Sequence, residues 1–277
     1  MQSSLIVTTY DWPAALDLVL ESALRQTHPP GEVLVADDGS DERTAIVVRA
    51  FLDRFRGRGV EMHHVWHPDR GFRAAEIRNR ALAMAQGEYI LLVDGDCILH
   101  PGFTRSHLAF ARAGTLVQGT RVLLSERRSA RALSTRQTTF HPFQRGIAHR
   151  VNAVSASWLS GLVPSPRDPL SGVRSCNMGF WRSDAALVNG FDERFVGWGR
   201  EDSDFVARMT RAAVRRRKLK FGGIVYHLWH AERPRDALKV NDELFAHARR
   251  RGGSRAAEGM DKYQTGFTDA MTPDYFP

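Results

Sequence analysis

The feature that most constrains this chain is a strict alternation over its first ninety-odd residues. Short β-branched apolar runs take turns with segments of helical periodicity. "SLIVTTY", "EVLVADD", "VEMHHVWH" and "EYILLVDGD" read as strands, each short and apolar enough to be buried on both faces. Between them lie "WPAALDLVLESALRQ", with Pro13 in its first turn, "ERTAIVVRAFLDRF", with Asp41 as its N-cap, and "RAAEIRNRALAMAQ", expected to end at Gly87. Repeated strand–helix units predict an α/β fold with a mostly parallel sheet and helices on both faces. In such sheets ligands bind beyond the carboxyl ends of the strands.

Those ends carry polar groups. Strand one finishes at Thr8, Thr9 and Tyr10, strand two at "ADDGS" with Asp37 and Asp38, and strand four at "DGD" with Asp94 and Asp96. A crevice rich in carboxylates follows. No GxGxxG follows strand one, which disfavours a dinucleotide-binding dehydrogenase, and no GxxxxGK[ST] is present, which disfavours a P-loop NTPase.

Beyond residue 100 the pattern loosens. "GTLVQGTRVLL" is a strand pair or one long strand, and "CNMGFWR" and "FGGIVYHLWH" are strands. "EDSDFVARMTRAAV" and "RDALKVNDELFAHARRR" are helices. Residues 125–174 are polar, arginine-rich and broken by proline, with weak helical patches, as in a lid or substrate loop. From Gly252 the sequence suggests a loosely attached arm. The expected division is 1–124 for the alternating half, 125–251 for the less regular half of the same domain, and 252–277 for a tail.

The 277 residues carry a net charge of +8 and only two cysteines, Cys97 and Cys176. The start lacks the charged and apolar runs of a signal peptide, so a reduced cytoplasmic setting is expected, with Cys97 in a packing role. No apolar run approaches the roughly 20 residues that span a bilayer. Arginines cluster in Ser125–Arg150 and in "RAAVRRRKLK". This charge suits nucleic acid, an anionic membrane surface or phosphorylated substrates, or serves only as a solvated face. No aromatic-interleaved basic motif supports nucleic acid.

Two carboxylates at i and i+2 behind a buried strand can aim at one divalent cation, and hard oxygen ligands suit Mg²⁺ or Mn²⁺. The plain alternative is a solvated D-G turn. Arg73 and Arg78, near a helix start, can neutralise phosphate oxygens or simply pair with Glu76. His227 and His230 flank "LW" after a strand. Beside a carboxylate-held cation one of them becomes a third ligand. "GWGREDSDF" places Glu201, Asp202 and Asp204 at a helix N-terminus, where each negative charge gains roughly 0.3–1 kcal/mol. The glycines let the backbone approach a ligand, Trp198 offers a flat face for a sugar ring, and a carboxylate beside it can act as a general base.

The pieces "LIVTTYDW", "VLVADDGS", "IRNRALAMAQGEYILLVDGDC" and "GFDERFVGWGREDSDF", in this order, resemble the inverting family 2 glycosyltransferases of the GT-A fold. "GFRAAEIRN" is similar to the bacterial chondroitin-polymerase-type subgroup, and the last piece to the C-terminal region of metazoan galactosyltransferases. The resemblance spans about Ser4–His230. It implies a Rossmann-like mostly parallel sheet with a C-terminal acceptor-binding portion. It also implies a donor that is a nucleotide diphosphate sugar, UDP-linked, and Mn²⁺ or Mg²⁺ as cofactor. Thr8, Tyr10 and Asp38 would hold uracil or ribose. Arg78, with Arg73 near it, would meet the nucleotide or its diphosphate. Asp94 would sit by ribose and metal, and Asp96 would bind the metal. His227 or His230 would complete the metal site, with His227 favoured at the strand end. Trp198 and Gly199 would shape the sugar pocket, Glu201 and Asp202 would bind sugar hydroxyls, and Asp202 would be the base. Arg200 departs from the small residue of related galactosyltransferases, and its guanidinium beside the base would lower the base's pKa or contact an anionic acceptor.

The basic segments suggest a glycan acceptor that is anionic or lipid-linked, such as lipopolysaccharide core or capsule at the inner membrane surface. Competing readings are a sugar-phosphate nucleotidyltransferase, which would want a Gly-rich, Lys-bearing loop after strand one, and a non-catalytic binding protein for nucleotide sugars or nucleic acid.

Overall fold

The computed structural model describes residues 1–164, 167–231 and 235–263. Four parallel strands, β1 (Ser3–Thr9), β2 (Glu32–Asp37), β3 (Glu61–Trp66) and β4 (Tyr89–Asp94), form one side of a seven-stranded sheet. β8 (Asn177–Trp181) runs antiparallel to both β4 and β6 (Thr115–Gln118), and β9 (Arg215–Lys218) closes the edge, giving the order β3-β2-β1-β4-β8-β6-β9. Strands from the first and second halves of the chain therefore share one sheet.

The apolar strand runs behave as two-faced burial requires. Alternate residues of one strand point to opposite faces. Ile6 packs into one core with helices α3 (Ala74–Met84) and α7 (Glu201–Arg211), while Leu5 and Val7 pack into another with α1 (Pro13–Leu24) and α2 (Glu42–Arg56). Asp41 caps α2, its carboxylate accepting from the Arg43 N–H, and α1 opens with proline in its first turn, both as the sequence predicts. The third helix ends earlier than expected, at Met84. Gly87 is not its cap: the glycine amide donates to Ser4 Oγ at 2.9 Å and to Glu32 at 3.0 Å, tying the loop to β1 and β2.

Register brings the polar strand ends level. Thr9 lies opposite Asp37 and Thr8 opposite Asp94, so the carboxylates open on one crevice flanking β1.

A second sheet completes the site. β5 (Cys97–Leu99), β10 (Ile224–His227) and β7 (Thr120–Leu123) pair in the order β5-β10-β7. "GTLVQGTRVLL" is thus a strand pair split between two sheets at Gly119. A Cβ there would lie 2.2 Å from Asn177 Oδ1, closer than any side chain can sit. Asn177 donates across this junction to the carbonyls of Thr120 and Gly223, at 3.0 and 2.6 Å.

The arginine-rich stretches are more structured than their composition suggests. α5 (Glu126–Thr135) is a full helix, with Ser125 Oγ accepting from the Arg128 N–H. Arg128 donates to the Arg145 carbonyl, and Arg136 pairs with Asp17. "RRRKLK" holds an edge strand, in which Arg217 lies 3.8 Å over the Phe110 ring. Two further helices, α4 (Phe103–Phe110) and α6 (Arg182–Leu187), escaped the sequence reading, being short and weakly periodic.

The C-terminal residues correct another expectation. After α8 (Leu238–Arg251), residues 252–263 pack on the body rather than hang as an arm. The Ala256 N–H donates to the Val188 carbonyl at 3.0 Å, and Met260 is buried with the α3 and α7 side chains. The rest of the expected tail, 264–277, lies outside the described residues.

Candidate active site

A cavity of about 630 Å³ opens at the carboxyl ends of β1, β2 and β4. Twelve of the residues singled out from the sequence line it: Thr8, Tyr10, Asp38, Arg78, Asp94, Asp96, Trp198, Gly199, Glu201, Asp202, His227 and His230. Arg73 stands apart. Its guanidinium turns to the Arg70 carbonyl and its backbone N–H holds Asp38 at 2.8 Å. It supports the site through its amide, not its charge.

Arg78 ties three motifs together. The side chain, 3% exposed, donates to Thr8 Oγ1, Glu201 Oε1 and Asp94 Oδ1, each at 3.2 Å, and sits 5.4 Å from the Phe191 ring centroid. The end of β1, the end of β4 and the start of α7 are therefore joined by one guanidinium, whose fork suits several acceptors at once. Asp38 is similarly fixed, with His67 Nε2 at 2.8 Å and the Arg73 amide on its other oxygen. Tyr10 donates to Asp69 at 3.1 Å.

The cation-binding side comes from the second sheet. β5 and β10 pair with Cys97 opposite His227, which sets Asp96 against the histidines. His227 Nε2 lies 3.5 Å and His230 Nε2 3.3 Å from Asp96 Oδ2, and the two rings are 5.2 Å apart. Both histidines of the expected pair thus face one carboxylate. Burial pushes Asp94 up to about 6, against the pull of Arg78 and with help from the Asp96 charge. Burial also pushes on Asp96, but the His230 hydrogen bond and the nearby imidazoles outweigh it and hold this carboxyl below its ordinary value. Cys97 lies close enough to Asp96 and His227 to complete a ligand group. Burial, and then the neighbouring Cys176 thiol, raise it well above the usual thiol range, so it stays protonated and packs, as its sequence neighbours suggest. Asp96 and two imidazoles remain together, with Asp94 lining the same cavity, a donor set that can take a divalent cation such as Mn²⁺ or Mg²⁺.

The opposite wall carries the acids of "GWGREDSDF". Gly197 and Gly199 have φ of +77° and +107°, and a Cβ on Gly197 would meet Ala237 Cβ at 2.5 Å. The loop is gripped by the buried Asn241 of α8, whose amide donates to the carbonyls of Val196 and Trp198. Trp198 keeps 39% of its surface exposed and takes the Arg235 guanidinium 5.0 Å from its ring centroid. Arg200, left-handed at φ +77°, opens α7 and turns its guanidinium to Asp242 on α8. It pairs away from Asp202, so the expected effect on the base is replaced by a role in docking α8.

The three acids of this helix start separate by their partners. Asp204 is buried against Arg208 at 2.7 Å and is structural. Glu201 is held by Arg78. Among the described residues Asp202 accepts only from its neighbour Ser203, through the amide at 2.6 Å and the hydroxyl at 3.2 Å. Burial first, then the Glu201 charge, lifts Asp202 to about 7, against the opposing pull of Arg78 and Ser203.

With this geometry in place, comparison with known families is decisive. Residues 4–157 match the family described as glycosyl transferase family 2, which spans more than half of the chain. The chain belongs to glycosyltransferase family 2. Residues 162–231, which include the acidic helix start and His227, match the family described as N-terminal domain of galactosyltransferase. Among relatives of this family 2 member, validoxylamine A glucosyltransferase of Streptomyces hygroscopicus subsp. limoneus is 30% identical over 74% of this chain and 47% of its own length. The chondroitin synthase of Escherichia coli is 24% identical over 81% of this chain and 34% of its own, in keeping with the subgroup expected from "GFRAAEIRN". The chain spans about half the length of the first curated relatives it matches. Among solved structures, S. aureus TarS 1-349 superposes with a TM-score of 0.62 at 19% identity, covering 90% of this chain and 65% of TarS 1-349, and the same protein has been crystallised with UDP-GlcNAc. This likeness establishes the GT-A architecture.

The sequence reading missed some of the cavity wall. Arg121, Arg174 and Arg235 also line it. Arg121 left one signal, a charged residue inside the apolar run "TRVLL". Arg174 left none.

Proposed function

We propose that the protein is a metal-dependent inverting glycosyltransferase. It moves a hexose or N-acetylhexosamine from a UDP-linked nucleotide sugar to a hydroxyl of a surface glycan, such as lipopolysaccharide core or capsule. One observation carries this reading: a carboxylate lifted to about 7, Asp202, shares a cavity with a separate cluster of Asp94, Asp96, His227 and His230. Asp96, held below its ordinary value by the imidazoles beside it, and Asp202, lifted to about 7 by burial, divide cation binding from acid–base work. The UDP-GlcNAc complex of TarS supports the choice of donor.

Thr8, Tyr10 and Asp38 hold the nucleoside, with Asp38 pre-set by His67 and the Arg73 amide. Asp94, Asp96 and His227 or His230 hold the cation, which when bound neutralises charge growing on the leaving diphosphate. Trp198 and Gly199 form the platform for the sugar ring, and Glu201, pinned by Arg78, faces its hydroxyls. Asp202 takes the proton from the acceptor hydroxyl. Its basicity near neutrality matches that task, since a proton acceptor works best with a pKa close to the working pH. The oxygen so activated attacks the anomeric carbon opposite the leaving group, inverting its configuration.

Calorimetric titration with UDP tests the cation half. Affinity is expected to fall by at least about tenfold without Mn²⁺ or in Asp96→Asn, the loss of roughly one charge-assisted contact. Equal affinity with and without metal would remove the cation from the account.

The acceptor is lipid-linked or anionic in this reading, and the protein works at the cytoplasmic face of the inner membrane. No helix among the described residues is long and apolar enough to cross a membrane. Phe143, Trp158 and Leu162 are exposed in the same arginine-rich segment as Arg145 and Arg150, a combination suited to an anionic lipid surface. The protein is expected to co-sediment with vesicles of anionic phospholipid at low salt and to be released by high salt. Absence from the pellet at low salt would confine it to solution.

A further inference from the structure

Two cavity arginines have no assigned task in this reaction. Among the described residues, neither Arg121 nor Arg174 makes an ion pair or hydrogen bond through its guanidinium, although both line the same cavity as Asp202 and His227. The other arginines of this region are occupied. Arg78 has Asp94 and Glu201, Arg200 has Asp242, and Arg216 has carbonyls.

The backbone beneath Arg174 is fixed with care. Buried Gln118 clamps it from both sides, donating from Nε2 to the Arg174 carbonyl at 2.9 Å and accepting its amide on Oε1 at 3.3 Å. The preceding loop is held by Arg216, 7% exposed, which donates to the carbonyls of Pro169, Ser171 and Gly172 at 2.9, 2.8 and 3.2 Å. Arg121 sits on β7, opposite Val225 of β10, two residues before His227. Two cations thus rise from rigid elements into one opening.

The charges sense one another in sequence. Partial burial and then the Arg121 charge hold Arg174 below its ordinary value, while Asp202 pulls it the other way. Both arginines line one cavity with the cation-binding histidine and the base. Like charges brought together with no carboxylate bonded to either are costly, and the cost is relieved when an anion enters.

We infer that Arg121 and Arg174 form an oxyanion subsite that receives a carboxylate or phosphate of the acceptor, next to the hydroxyl that Asp202 activates. This rests on the transferase reading and names the acceptor class for it. The donor diphosphate is the alternative source of the same chemistry. The acceptor is favoured because the Asp202 charge reaches Arg174, whereas the nucleoside groups Thr8 and Asp38 lie at the ends of β1 and β2. The arginine-dense segments that drew attention in the sequence are not needed for this recognition, since Arg128, Arg136, Arg216 and Arg217 serve internal contacts.

Arg121→Gln and Arg174→Gln, made separately, test the subsite with inorganic phosphate as probe. Phosphate is titrated into protein saturated with UDP and Mn²⁺, so that the donor diphosphate site is filled. Each variant is expected to lose about tenfold or more in phosphate affinity, as for removal of one charge-assisted hydrogen bond, with UDP affinity within about twofold of the wild type. Unchanged phosphate binding in both variants overturns the proposal. So does a fall in UDP affinity that matches the fall for phosphate, since it assigns the arginines to the donor. A wild type that binds no UDP is a different result. It overturns the transferase reading, while phosphate binding lost in the two variants still upholds an anion site. A second arm compares methyl β-glucuronide with methyl β-glucoside as acceptors in UDP release. The wild type is expected to favour the glucuronide in kcat/KM and both variants to lose that preference, while equal use of the two by the wild type counts against an anionic acceptor.

Discussion

Replacing Asp202 by Asn is expected to cut sugar transfer by about a thousandfold, the middle of the range for loss of a general base, while UDP still binds. The geometry gives the reason. Among the described residues Asp202 accepts hydrogen bonds only from Ser203, so its replacement by the isosteric amide breaks no ion-pair contact. The same residue fixes the pH profile. With its pKa lifted to about 7, kcat/KM should climb with pH and level off above that value. Stability should move the other way. A carboxyl whose folded pKa is raised above its unfolded value favours the protonated fold, so its ionisation costs stability as pH rises from about 4 to about 7. Asp202→Asn should therefore raise Tm at pH 8 and change it little at pH 5. An equal rise at both pH values would place the effect in packing. Loss of UDP binding in this variant would make Asp202 a binding residue rather than the base.

Arg78→Met is expected to cost far more stability than any change at the cavity rim. The guanidinium is buried and serves Thr8, Asp94 and Glu201 together. Methionine fills a similar volume but leaves two carboxylates without their counter-charge. Breaking a buried pair on one side costs about 3–5 kcal/mol, which lowers Tm by roughly 10 °C in a chain of this size. Arg78→Lys should recover only part of this, since one ammonium cannot span three acceptors in a fixed fork. A Tm within two or three degrees of the wild type for Arg78→Met, about 1 kcal/mol, would show that solvent or rearrangement screens the carboxylates. Calorimetric scans at one pH and one salt concentration decide it.

Much of the site was legible because its parts are local. "DGD" and "ADDGS" sit at strand ends, and strand ends in a parallel sheet share one edge. The acids of "GWGREDSDF" sit at a helix start, which restricts where they can point. What local pattern could not show was pairing at a distance. Asp96 meets His227 only because β5, three residues long, pairs with β10 more than a hundred residues later. Both histidines approach it, so no sequence spacing could choose between them. Arg174 enters the cavity because Gln118 and Arg216, distant in sequence, set its backbone. Arg200 reads as a neighbour of the base along the chain, yet its side chain leaves for Asp242. Net charge misled in the same way. "RRRKLK" looks like an exposed basic tract, but β9 pairs with β6 and Arg216 is buried under the 169–172 loop.

The division of carboxylates between cation and base is the core of the account, and turnover of donor sugars tests it most directly. The measurement is release of nucleoside diphosphate from a panel of nucleotide sugars, with Mn²⁺ and with chelator, using wild type, Asp96→Asn and Asp202→Asn. The account predicts release from a UDP-sugar by the wild type with Mn²⁺, loss of that release with chelator or in either variant, and retained UDP binding in Asp202→Asn alone. Absence of release from every nucleotide sugar, or release undiminished by chelator and by both substitutions, would contradict it.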